Sequence, residues 1–144
     1  MTQRQAKRVP QPVTALLPAL VLALVTSAAW AGWLGWDQHR DVQPDGSVTG
    51  PYEAWQVIGL VLTLLAPVYW AASRNHIAGA VVGVTAGLTA ASLYDWSDDA
   101  SGLYGVGVTM IMLGGIAVTT GVSFVIAALQ REVPPVVPPA VAAE

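Results

Sequence analysis

Four stretches of the chain carry no charged side chain and are almost wholly apolar: residues 13–34, 54–72, 77–94 and 103–129. A helix needs about 20 such residues to cross a hydrocarbon core of roughly 30 Å. That core holds no water, so a spanning segment must pair its own backbone N–H and C=O groups, and a helix does so unaided. Each stretch therefore predicts a transmembrane helix. The third is at the short limit. The fourth, at about 1.5 Å per residue, reaches on the order of 40 Å and is expected to tilt, bend or project from the bilayer.

The rest of the composition agrees. Only 10% of the 144 residues are charged, against about 25% in an ordinary soluble domain. There is no cysteine, which removes disulfides, thiolate metal sites and thiol nucleophiles. The net charge of −3 argues against a nucleic-acid partner. The expected fold is an all-α membrane protein, a four-transmembrane-helix bundle. Residues 1–12 read as a cytoplasmic N-terminal segment, 13–130 as the membrane domain and 131–144 as a Pro-rich cytoplasmic tail of extended, polyproline character. The first stretch, with Arg4, Lys7 and Arg8 before it and Ala29-Trp30-Ala31 near its end, also has the outline of a cleavable signal. Its length and the aromatic residues that follow favour a retained span.

Charge sets the orientation. Arg4, Lys7, Arg8, Arg74 and Arg131 fall on one side of the spans with Glu132 and Glu144, a net +3; Arg40 falls on the other with seven acids, a net −6. Basic loops stay in the cytoplasm, so both termini are expected to be cytoplasmic, in a multi-pass protein of the plasma membrane. The aromatic side chains follow the same division. Trp30, Trp33, Trp36, Trp55 and Trp96 lie near the outer ends of the spans and predict an interfacial belt, with a packed cap or a binding surface as its further uses.

Small residues at every fourth position let helices approach closely in lipid. Ala19, Ala23, Ser27 and Ala31 form such a series in span one, Gly79, Gly83 and Gly87 in span three, and Ala117 and Gly121 in span four. Spans one, three and four are thus expected to pack together, with the Leu- and Val-rich span two more peripheral. On span three, Thr85, Thr89 and Ser92 occupy a separate sector, and Ile77, Val84 and Leu88 are expected to face lipid. Pro18 and Pro67 lie inside spans, and Pro67 is expected to bend span two.

The first outer loop contains Val42-Gln43-Pro44-Asp45-Gly46-Ser47-Val48. Pro, Asp and Gly are turn formers flanked here by β-favouring valines, which predicts a short extracytoplasmic β-hairpin. The second outer loop holds Asp95, Asp98 and Asp99, a candidate for a hard cation. A solvated acidic turn, with Asp99 or Ser101 capping span four, is the plainer expectation.

No span contains an ionisable residue, which disfavours proton coupling and voltage sensing. Small multidrug transporters share this size and layout, but they use a glutamate in span one that is missing here. No phosphate-binding, zinc-protease or serine-hydrolase motif is present. His39 with Asp37 and Asp41 is the one acid–base cluster. The chain is therefore expected to be non-enzymatic, without cofactor. Its expected partners are the lipid bilayer and either another membrane protein or a second copy. It is read as acting by helix–helix association; the alternative is a pore or carrier for a neutral or lipid-like molecule.

Two resemblances accompany these readings. Gly50-Pro51-Tyr52-Glu53-Ala54-Trp55-Gln56-Val57, following a Trp-Asp loop, resembles small four-span integral membrane proteins of actinobacteria; that likeness implies a fold and no activity. The loop layout, with Gly32-Trp33-Leu34 and Trp36, is similar in architecture to claudin-like four-span proteins, whose paired loop cysteines are missing.

Overall fold

The computed structural model describes residues 12–98 and 102–132. Four helices follow one another: α1 (Pro12–Trp33), α2 (Ala54–Ser73), α3 (Ile77–Asp95) and α4 (Tyr104–Arg131). Each is long and apolar enough to cross a bilayer. Leu16, Leu20, Leu24, Leu62, Leu113 and Phe124 are among many large apolar side chains that point outward. Such a surface is compatible with lipid as the surrounding solvent. Among the described residues, the acids other than Glu132 gather at one end of the bundle with Arg40, and Arg74 and Arg131 lie at the other. These are called the acidic and basic ends below.

Between α1 and α2 stands a two-stranded antiparallel hairpin, β1 (Asp41–Val42) and β2 (Val48–Thr49). Asp41 pairs with Thr49 and Val42 with Val48. The turn closes as the sequence chemistry predicts. Gly46 N donates to Gln43 O at 2.9 Å, and Ser47 N donates to Asp45 Oδ1 at 2.9 Å. Gly46 holds φ +82°, a conformation that carries strain for residues with a Cβ.

α1 and α3 run parallel and make the closest pairing. A Cβ built on Gly83 would lie 2.5 Å from Ala19 O, and one on Gly87 would lie 2.6 Å from Ala23 O. Gly79 sits over Pro18. Ser27 Oγ then donates to Gly87 O at 3.3 Å. Here the two backbones touch because neither helix presents a large side chain.

The other pairings differ from the sequence expectation. α4 packs antiparallel on α3 but does not reach α1, which lies across the diagonal. Its packing face is not Ala117 and Gly121; both are exposed, and nothing lies within 4 Å of a Cβ added to Gly121. Instead Gly115 meets Thr85, Gly107 lies beneath the Trp96 ring, and Thr119 and Ser123 are buried. The small residues of α4 occur on two faces, and the register set by Gly107 and Gly115 decides which is used. Ala31 likewise is exposed, so the α1 stripe leaves the seam after Ser27.

α2 is not peripheral. It touches all three other helices and joins α1 to α4. Gln56, Leu60, Leu64 and Val68 lie four residues apart on its buried face. Leu60, Leu64 and Val68 meet Trp30, Leu34 and Val84 in the main core cluster. Val84, expected at the lipid, is therefore a core residue, because α2 covers the sector that a three-helix seam would have left open. α1 and α2 run unbroken through Pro18 and Pro67.

The basic-end turn is Arg74-Asn75-His76. Asn75 takes φ 60°, and His76 N donates to Ala71 O at 2.8 Å, a left-handed stop that asparagine tolerates. Arg74 lies 5.2 Å above the Trp70 ring. At the other end α4 begins after Gly102 (φ 70°) with Leu103 as its N-cap. The predicted caps Asp99 and Ser101 fall outside the described residues, as do 1–11 and 133–144.

Candidate functional site

The polar chemistry of the described bundle converges at its acidic end. Asp95 is the last residue of α3. Its Oδ2 accepts hydrogen bonds from the Tyr52 hydroxyl and, at 3.3 Å, from Trp30 Nε1. Its Oδ1 accepts one from Gln38 Nε2 at 2.6 Å. Trp96 Nε1 donates to Tyr52 Oη at 3.0 Å. One carboxylate thereby ties together α1, the first loop and α3.

Three rings build the wall around it. Trp30 meets Tyr52 edge-on at 6.0 Å between centroids and Trp96 edge-on at 6.1 Å; Tyr52 and Trp96 stack at 6.5 Å. These separations suit the quadrupoles of aromatic rings. Burial and the Asp95 carboxylate beside it hold the Tyr52 hydroxyl well above the ordinary tyrosine range, since both oppose a phenolate.

A second layer lies behind. Gln56 is fully buried; its Nε2 donates to Asp37 Oδ2 at 3.0 Å while its Oε1 accepts Glu53 N at 2.6 Å, starting α2. Trp33 Nε1 donates to Thr63 Oγ1 at 3.0 Å, and its ring lies over Gly59. Trp55 Nε1 donates to the Glu53 carboxylate, and the Trp55 ring contacts both Trp33 and Trp36.

The five predicted belt tryptophans thus divide. Trp36 and Trp55 are exposed, as interfacial anchors are. Trp30 is only 6% exposed and belongs to the core, because its indole N–H has a carboxylate to bond at the top of the bundle. Trp33 and Trp96 are intermediate.

The candidate cation cluster lies partly outside the described residues. Asp95 turns inward to its three donors, Asp98 is exposed, and Asp99 lies outside the described residues. Among the described residues no group of three His, Asp or Glu side chains is placed to hold a metal ion. His39 is exposed on the first loop and His76 at the basic end. Tyr52 belongs to the aromatic side chains at the outer span ends, but Gln38 and Gln56 are not among the site residues expected from the sequence. Gln56, three residues after Glu53, has the spacing of a capping box; Gln38 reads as an ordinary loop residue.

Among the described residues, clefts open on the sides of the bundle. One, of about 200 Å³, lies between α2, α3 and α4 over Gly114 and Gly115; Val61, Leu65, Val84 and Val118 make it apolar. Another, of about 360 Å³, lies between the last turns of α1 and α3 and has Trp30, Gln38 and Asp95 at its head. Among the described residues, Thr85, Thr89 and Ser92 line neither of these clefts. Thr85 packs against Gly115, and Ser92 Oγ donates back to Thr89 O at 3.1 Å.

No protein-family model, curated protein or solved structure matches the chain.

Proposed function

We propose that the chain is a non-enzymatic multi-pass protein of the plasma membrane that works by lateral helix–helix association, as the accessory subunit of a membrane complex or as a homo-oligomer. The acidic end faces outward and both termini face the cytoplasm, in keeping with the distribution of basic residues.

One observation carries the reading. Ala117 and Gly121 lie outward on α4, and a methyl group added at Gly121 would meet nothing within 4 Å. This is the surface that lets a helix backbone approach in lipid, the same chemistry that already joins α1 to α3. Here it is left for a helix outside the chain.

The test replaces Ala117 and Gly121 by leucine in the full chain. Affinity purification in mild detergent, with mass spectrometry and sizing of what co-elutes, is expected to lose the partner or the oligomer while the melting temperature is kept. Unchanged association in that variant overturns the reading.

The second reading, a pore or carrier for a neutral or lipid-like molecule, draws on the apolar cleft between α2, α3 and α4. It favours a lipid-like cargo over a polar one, since Val and Leu side chains line most of that space.

A further inference from the structure

We infer that the cleft between the last turns of α1 and α3 binds the primary ammonium head of a membrane amphiphile, with Asp95 as its counter-ion. The inference stands on the geometry of that cleft and does not depend on how the chain associates.

The position of the ammonium nitrogen is marked by Gln38. Its Nε2 donates at once to Asp95 Oδ1 at 2.6 Å and to Gly35 O at 3.3 Å. Two acceptors from different helix ends therefore converge on one nitrogen. Gln38 is exposed on the loop after α1, so its side chain can swing out, and an R–NH₃⁺ group can take over both acceptors with a donor to spare. The charge-assisted bond to the carboxylate is stronger than the amide's.

The field around that point is negative from three sources. α1 and α3 are parallel, so both place their C-terminal ends, the negative poles of their dipoles, beside the cleft. Neither helix has a basic residue in its last turn. The third source is Asp95 itself. The ring of Trp30 lines the same space and Tyr94 stands exposed at its rim, which suits a cation against aromatic faces.

The rest of the cleft selects an amphiphile. Ser27, Ala31 and Ala90 continue its wall toward the bundle centre, about 12 Å below Gly35 at roughly 1.5 Å per residue. These small side chains leave a channel along the helices at the depth where an alkyl chain lies. At about 360 Å³ the space far exceeds a bare ion, and a hard metal asks for six or more oxygens.

The test uses the full chain in phosphatidylcholine nanodiscs doped with equal amounts of dodecylamine and dodecanol, read by native mass spectrometry. One dodecylammonium is expected to be retained at least tenfold over dodecanol. Asp95→Asn is expected to lose that preference. Because Asp95 also holds Tyr52, a second variant, Ala90→Leu, fills the cleft with the carboxylate intact and is expected to lose retention with an unchanged melting temperature. Gln38→Ala removes the competing amide and is expected to retain at least as much as the parent. Asp98→Asn, outside the cleft, is expected to match the parent. A parallel arm doped with phosphatidylethanolamine separates the sources: retention there assigns the head group of a bilayer lipid, and retention of dodecylammonium alone assigns a single-chain amine. Equal retention of dodecylamine and dodecanol, or an unchanged preference in both Asp95→Asn and Ala90→Leu, overturns the inference.

Discussion

Gly83 of α3 lies so close to Ala19 of α1 that a single added carbon would stand 2.5 Å from the Ala19 carbonyl oxygen. Real side chains do not approach a backbone oxygen that closely. Gly83→Ala must therefore push the helices apart, at an overpacking cost of about 1–3 kcal/mol, and Gly83→Leu must cost more. Val84→Leu is expected to cost less than Gly83→Leu, because Val84, though in the core, borders the cleft between α2, α3 and α4, where a further methylene has room. Gly121→Ala is expected to be close to neutral, since its Cβ meets nothing. Thermal unfolding of the four variants in one detergent checks the order; equal melting temperatures for Gly83→Leu and Val84→Leu would refute the assignment of the α1–α3 seam.

Tyr52→Phe keeps the ring contacts and removes one hydroxyl. That hydroxyl donates to Asp95 and accepts from Trp96. Its loss leaves a part-buried carboxylate one donor short and is expected to destabilise the chain by about 1–3 kcal/mol. Trp36→Phe, at an exposed ring, is expected to change the melting temperature little.

The same tyrosine sets an alkaline limit. Its folded pKa lies above its unfolded value, so the folded chain holds this proton more tightly. The associated stability is complete below the unfolded value, near pH 10, and is lost as pH rises from there toward the folded pKa. Melting temperatures of the parent are expected to fall more steeply above pH about 10 than those of Tyr52→Phe. In an absorbance titration, the phenolate signal that Tyr52→Phe removes should be one that develops well above the ordinary tyrosine range. Parallel alkaline slopes for parent and variant would contradict the clamp.

Thr26 is fully buried at the α1–α3 seam, and its hydroxyl has no hydrogen-bond partner. Valine has nearly the same shape. Replacing an unpaired buried hydroxyl by a methyl group removes a desolvation penalty. Thr26→Val is expected to raise stability, by about 1 kcal/mol. A lowered melting temperature would show that the hydroxyl has a partner.

At the hairpin, the Ser47 hydroxyl and backbone N–H hold the Asp45 carboxyl below the usual carboxylate range. A depressed folded pKa contributes order above the unfolded value and loses it as pH falls through the folded one. Protection of the Ser47 amide, measured against the free-peptide exchange rate at the same pH, is therefore expected to fall in acid, below pH about 4, and Asp45→Ala should show little protection at any pH. The bundle, which the hairpin does not help to pack, should melt unchanged in that variant.

The amino-acid sequence by itself determined the helices, their order and the hairpin. Observed bounds fall within two residues of the apolar runs, because absence of charge over a span and turn chemistry at Pro44-Asp45-Gly46 are local properties. It also marked Gly79, Gly83 and Gly87 as a close-approach face, since glycine at every fourth position leaves one helix sector bare. Tertiary structure alone decided which neighbour each face meets. α4 carries small residues on two sides, and only its antiparallel register on α3 turns Gly115 inward and Ala117 and Gly121 outward. Val84 became core because α2 closed over it. Asp95 reads as one more loop acid beside Asp98; it became the head of a cleft because Gln38, Tyr52 and Trp30, distant in the chain, bring their donors to it. Such convergence depends on how parallel helix ends and a folded loop meet in space, and no pattern along a single segment encodes it.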